Sequence, residues 1–290
     1  MEQYLQAVIS GLVLGSVYAL VAQGYYVTYI TTNTMNFGQG DFLMLGAMVG
    51  LAAMGSGLPW WAGLLMAVLV VAAAGVGLEY TAIRPLRHSI SIGWILSTVA
   101  ISMIVRNAAL LKWGRNPMLF PSPFGSSAIR LSERMGVLPH EIFVVIAALV
   151  TIGLLFLFLR RTILGKALAA VAWNRDAASL VGINPRAMAV FAFVLSSVLA
   201  GLGGVLVGPI TQTSFTMGLT LGLRAFAAAI VGGLENPAGI LVGGLLIGVV
   251  EQLTATVQSD WKDLTPFLLI LVVLAVSPSG IFGHRVREKY

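Results

Sequence analysis

RRTILGKALAAVAWNRDAASLVGINPR, residues 160–186, is the most polar interruption in a chain that is otherwise nearly all hydrocarbon. It sets five bases, Arg160, Arg161, Lys166, Arg175 and Arg186, against one acid, Asp176. Apolar runs at 142–159 and 187–207 flank it. Loops rich in Lys and Arg stay on the cytoplasmic side of a membrane, so this loop is expected there. It divides one transmembrane domain, residues 1–290, into an N-terminal half (4–159), a C-terminal half (187–283) and a short basic tail (284–290).

Composition excludes a water-facing fold. Of the 290 residues, 58% are hydrophobic and 10% charged, and the mean hydropathy is +0.93. A soluble domain carries about 25% charged residues. A helical span takes roughly 20 apolar residues, so the expected fold is an all-α polytopic membrane protein of about eight or nine transmembrane helices. The net charge of +6 belongs to loops, since no basic cluster is interleaved with aromatics as a nucleic-acid partner requires. No G-x-x-x-x-G-K-[ST] loop occurs, so the chain does not hydrolyse nucleotide by that route. There is no cysteine, and His88, His140 and His284 lie far apart. No metal site and no cofactor are expected.

The first Lys or Arg is Arg84. The N-terminus therefore lacks the charged region of a cleavable signal peptide and is expected outside. The spans read 4–30, 42–54, 62–83, 90–111, 142–159, 187–207, 219–234, 240–257 and 264–276. The turn RPLRH (84–88), the loop 160–186 and the tail would lie inside. The 112–140 loop, with Lys112, Arg115, Arg130 and Arg134, pulls against this scheme.

Two spans are short, and each follows a polar, glycine-containing break: TTNTMNFGQGD (31–41) and GPITQTSFTMG (208–218). Thirteen residues, 42–54, make about 20 Å of helix, short of the ~30 Å hydrocarbon core. Long span, break, short span and long span recur in that order in both halves. With the crossings counted as above, the second set runs opposite to the first, as an inverted repeat. Paired interrupted helices point to a translocation site, although glycine interruptions in membrane helices also arise without any repeat.

Further motifs run through the chain in order. They are Gly11-x-x-x-Gly15-Ser16-x-Tyr18-Ala19-Leu20, Asn36-Phe37-Gly38-Gln39-Gly40-Asp41, Arg84-Pro85-Leu86-Arg87 and Leu164-Gly165-Lys166-Ala167. Ala177-Ala178-x-x-x-Gly182-Ile183-Asn184, Gly222-x-Arg224-Ala225-Phe226-Ala227-Ala228, Gly232-Gly233, Asn236-Pro237-x-Gly239 and Gly243-Gly244 follow. In these the chain resembles the permeases of branched-chain amino-acid ABC importers over nearly its whole length. It departs at Gly38-Gln39, where the family usually shows Ala-His, at Arg224, where Lys is common, and at Glu235, where Gly is usual. The family also moves urea, short amides and aromatic acids, so the name alone does not give a substrate.

The resemblance implies partners: a second homologous permease subunit, two cytoplasmic ATPase subunits and a periplasmic substrate-binding protein. It implies no enzyme activity in this chain. Such permeases dock their ATPases through a cytoplasmic E-A-A-x-x-x-G pattern, which Asp176, Ala177, Ala178 and Gly182 match with Asp for Glu; Ile183 follows. The residues agree with a capped helix. Gly182 suits a left-handed helix end, and Asn184-Pro185 stops continuation. Leu164, Leu168, Val171 and Ala172 recur at helical spacing, a face for a partner groove or for the membrane surface.

Candidate pathway residues are the polar members of the breaks and the charges near them: Asn36, Gln39, Asp41, Thr211, Thr213 and Arg224. A charge in the bilayer must face protein or water. Asp41 reads either as a helix cap or as a substrate contact. Arg224 reads either as a carboxylate partner or as a lock on exposed backbone carbonyls. The neutral groups either line a weak-affinity path or satisfy irregular backbone. Glu79 and Glu251 read as snorkelling or paired groups. A stand-alone secondary transporter or channel is the alternative. It would need intramembrane coupling carboxylates or histidines, for which Asp41 is the one candidate.

Overall fold

A computed structural model describes residues 1–86, 93–125, 127–132 and 135–283. The basic tail 284–290, with Arg87, His88 and Arg134, lies outside the described residues. Among the described residues, six helices are long and apolar enough to cross a membrane. They are α1 (Glu2–Thr32), α3 (Trp60–Leu78, continued by a π turn and a 3-10 turn to Leu86), α4 (Gly93–Trp113), α5 (Pro139–Arg161), α8 (Pro185–Val207) and α10 (Pro237–Val257). Four shorter apolar helices accompany them among the described residues: α2 (Gln39–Gly55), α6 (Ile163–Trp173), α9 (Met217–Gly232) and α11 (Thr265–Val276). Between the halves lie α6 (Ile163–Trp173) and α7 (Arg175–Leu180). The protein is an all-helical polytopic membrane protein. The 112–140 loop also holds an antiparallel hairpin, β1 (Ile129–Ser132) with β2 (Met135–Val137), which the apolar periodicity did not reveal.

Local chemistry sets the helix ends. Asn33 closes α1 in a left-handed conformation, φ 56°, its N–H bonded to the Tyr29 carbonyl. Asn is among the few L-residues that tolerate this shape. The Asn-Pro start is used twice. Asn184 accepts from the N–H groups of Arg186 and Ala187 to open α8, and Asn236 accepts from those of Ala238 and Gly239 to open α10. In both, Pro occupies a first-turn position whose N–H would have no helical partner.

The halves interlock. Helix α1 packs chiefly on α10, and α8 packs about equally on α1, α2 and α3, while α9 crosses α1. Exchanging α1, α2 and α3 for α8, α9 and α10 leaves the same helix pairs in contact. The two sets run in opposite directions. Gln6, at the start of α1, bonds to Gly136 of β2, and α8 ends where the Leu206 carbonyl meets His140, just beyond that hairpin. Gly11 and Gly15 of α1 lie against Gly244 and Gly248 of α10, and a Cβ on Gly15 would stand 2.8 Å from the Gly244 carbonyl oxygen. Without a hydrophobic drive between helices in lipid, such small-residue contacts let dispersion and close backbone packing hold the pair.

Both breaks are shorter than their polar sequences suggest. Helix α1 runs on to Thr32 and α2 starts at Gln39, so the first break is 33–38; the second is 208–216. Irregular backbone here is tolerated because protein covers it: Met118 and Thr213 exchange both backbone hydrogen bonds, 2.8 and 3.0 Å, in an antiparallel bridge.

Candidate translocation site and coupling loop

The two short helices meet at their N-terminal ends. Gly40 of α2 sits against Gly218 and Gly222 of α9 so closely that a Cβ on Gly222 would lie 2.6 Å from the Gly40 Cα. A larger residue there would force the two helices to shift. Beside this crossing is a cavity of about 320 Å³ between α2, α4 and α9. Tyr25, Phe37 and Phe226 form an aromatic corner in its wall, with ring centroids 5.5 Å apart for Tyr25–Phe226 and for Phe37–Phe226. Its polar wall is Asp41, Ser102 and Arg106.

Asp41 is in the first turn of α2 but makes no cap. Its carboxylate turns sideways to α4. Arg106 donates Nε to Oδ1 at 2.9 Å and Nη2 to Oδ2 at 2.8 Å, and the Ser102 hydroxyl donates to Oδ2. This side-on, two-point pair is the strong form of an Arg–carboxylate contact. It explains how two charges are tolerated inside apolar helices: each satisfies the other.

Arg224 is not at the start of its short helix, as the break at 208–218 had suggested, because α9 begins at Met217. It lies about two turns in and bonds no backbone carbonyl. Its Nη2 donates to Asp263 Oδ1 at 2.6 Å, and its Nη1 lies 3.3 Å from the Tyr18 hydroxyl and 3.1 Å from Glu251 Oε1. Tyr18 in turn donates to Glu251 Oε2 at 3.1 Å. Glu251 is therefore a paired group.

The remaining break residues face other neighbours. Gln39 is buried, donating Nε2 to the carbonyls of Val21 (3.3 Å) and Ser196 (3.0 Å) and accepting from the Ser196 hydroxyl at 2.7 Å. Asn36 accepts from the Gly38 N–H at 2.9 Å. Thr213 is buried beside Met118, and Thr211 donates to the Val207 carbonyl at 3.2 Å. Of the six candidates, the cavity is lined by Asp41 alone. Sequence reasoning assigned no role to Arg106, Ser102, Ser196 or Asp263. The available signal was the presence of both signs within apolar helices: Asp41, Glu79 and Glu251 with Arg106 and Arg224.

The loop between the halves is built by capping. The Thr162 hydroxyl accepts from the Gly165 N–H at 3.0 Å to start α6, and Asn174 Oδ1 accepts from the Ala177 N–H at 2.9 Å to start α7. Helix α7 ends in a Schellman motif. Gly182, φ 85°, donates its N–H to the Ser179 carbonyl, and Ile183 donates to that of Ala178, both at 3.1 Å. Asp176 and Ala177 face outward, Ala178 inward, and Ile183 is half-buried. One expectation changes. Leu168 and Val171 are buried within the chain, so they are unavailable to a partner. The exposed apolar groups are Ile163, Leu164, Trp173, Leu180 and Val181, Trp173 at 93%.

The family described as the permease component of branched-chain amino acid transport systems matches residues 7–274. The chain belongs to this family. It is 32% identical to LivH of Salmonella typhimurium, a high-affinity branched-chain amino acid transport system permease protein, over 99% of this chain and 97% of the relative. BraD of Pseudomonas aeruginosa, of the same description, is 33% identical over 99% of this chain and 98% of its own. A probable LivH from Methanocaldococcus jannaschii is 31% identical over 94% and 90%. Among solved structures, PsaBC from Streptococcus pneumoniae, in complex with Fab, aligns with a TM-score of 0.55 and 15% identity over 97% of this chain and 94% of that one; that likeness shows the fold alone. This permease is thus a multi-pass membrane component of a transport system.

Proposed function

We propose that this permease is the membrane subunit of an ATP-driven, binding-protein-dependent importer of branched-chain amino acids or a related small polar, amide or organic-acid solute. It sits in the bacterial cytoplasmic membrane with its N-terminus outside and its C-terminus in the cytoplasm. It pairs with a second, homologous permease. Two cytoplasmic ATPase subunits hydrolyse the nucleotide, and a periplasmic binding protein delivers the solute.

The observation that carries this reading is the α6–α7 loop. A six-residue helix held by an Asn cap and a Schellman motif is seated on its own chain through Ala178 and leaves Trp173, Leu180 and Val181 exposed beside Asp176 and Ala177. The test is co-purification of the ATPase subunits with two variants. Gly182→Trp puts a side chain on a positive φ and deforms the end of this helix, whereas Leu180→Asp alters only its exposed face. Both are expected to lose the ATPases and ATP-dependent uptake. Normal assembly and uptake in both would overturn the docking role.

A further inference from the structure

We propose that the cavity between α2, α4 and α9 is a station for a zwitterionic α-amino acid, with the carboxylate on Arg106, the ammonium on Asp41 and the side chain against Tyr25, Phe37 and Phe226. The proposal rests on the importer reading above and adds to it the residues that sort the solute by charge.

Three features carry it. First, the donor count leaves room. Arg106 commits Nε and Nη2 to Asp41, while a guanidinium has five N–H donors. Arg106 lines the cavity with its side chain 22% exposed, so its remaining donors, on Nη1 and Nη2, are the ones left for a carboxylate. Asp41 accepts three bonds from these partners, whereas a carboxylate has about four acceptor sites, so one direction remains for an ammonium.

Second, the charges suit a zwitterion and penalise its halves. The Asp41–Arg106 pair has no net charge, and a zwitterion adds none. A solute with only one of the two charges would bring an uncompensated charge into a low-dielectric site, where charge is expensive. Its single charge would also face one pole attractively and the other repulsively.

Third, the apolar wall is the aromatic corner, and the 320 Å³ is at the small end of ligand pockets, which run from about 300 Å³. The mutual pairing of Asp41 and Arg106 competes with the solute, which keeps affinity low, as a passage requires.

The test uses the cysteine-free background and the assembled transporter in proteoliposomes. Val99→Cys puts a thiol in the half-open cavity wall, and its reaction rate with a small neutral thiol reagent is measured with and without leucine. Leucine should slow labelling. Isoamylamine and isocaproate, which each keep one of its charges, should need about tenfold or more higher concentration for equal protection, the worth of one charged hydrogen bond. Adding Asp41→Asn with Arg106→Gln should abolish protection; because both charges go together, neither is stranded, and unchanged labelling without ligand reports that the cavity is intact. The proposal falls if leucine gives no protection in any nucleotide state, if the single-charge analogues protect as well as leucine, or if the doubly neutral variant is still protected. A wild-type complex that imports no amino acid would sink the importer reading instead, so the two failures are distinguishable.

Discussion

Helices α2 and α9 are the same device at equivalent places in the two halves, yet their charges are handled in opposite ways. Each helix is short, follows a break and begins with glycines that touch the other. Asp41, in the first turn of α2, looks into a cavity and pairs with an arginine whose side chain keeps 22% of its surface. Arg224, two turns into α9, is enclosed by Tyr18, Glu251 and Asp263 from α1, α10 and the turn before α11. The difference lies in depth along the half-helix. At its N-terminal end the chain has just turned, which leaves free volume beside the carboxylate, whose arginine partner has donors to spare. Two turns further the helix is covered by α1 and α10, and any charge there must be saturated by protein groups. Sequence symmetry therefore does not carry over to site symmetry.

The strongest test of this contrast is Arg224→Ala. It leaves Glu251, whose side chain is 0% exposed, with the Tyr18 hydroxyl and a more distant Lys262 at 3.9 Å, and breaking a buried pair from one side costs roughly 3–5 kcal/mol. The detergent-solubilised protein should lose much of its thermal stability, and replacing both partners, Arg224→Met with Glu251→Leu, should recover most of it. A stable Arg224→Ala protein that assembles but does not transport would break the contrast, because Arg224 would then belong to the path.

A smaller effect is expected at the glycine crossing. Gly222→Ala places a methyl 2.6 Å from the Gly40 Cα, and overpacking of this kind costs about 1–3 kcal/mol. The shift should also press α2 and α9 apart and alter Val99→Cys labelling in the adjoining cavity. Changed stability with unchanged labelling would separate the crossing from the cavity.

The smallest effect belongs to Asp263→Asn. This carboxylate is 81% exposed, and an exposed ion pair is worth about 0–1 kcal/mol. The stability change should stay within that range and shrink further in high salt. A larger loss would mean that the turn before α11 is anchored through Arg224.

Sequence reading went far in some places and stopped short in others, for physical reasons. The caps at Asn184 and Asn236, the left-handed Gly182 and the short α2 and α9 were legible because they depend on a few neighbouring residues. The outward face of α6 was misread. Leu168 and Val171 carry the apolar period, and that period reports burial without saying whether the cover is a partner or the chain's own core. The cap expected of Asp41 failed for a related reason: local propensity allowed it, but Arg106, 65 positions later, offered a stronger partner.

Composition and order along the chain determined that this protein lives in a bilayer, where it breaks and which family it resembles, since hydropathy, capping and glycine or proline punctuation act over a few turns of chain. The partners of Asp41, Arg106, Arg224 and Glu251 were decided only by the tertiary structure. Acids and bases in apolar helices have to be neutralised, and the sequence shows that need. Which acid meets which base depends on how the helices cross, and so does the existence of a cavity beside one pair. Those crossings are set by glycine contacts between segments far apart in the chain.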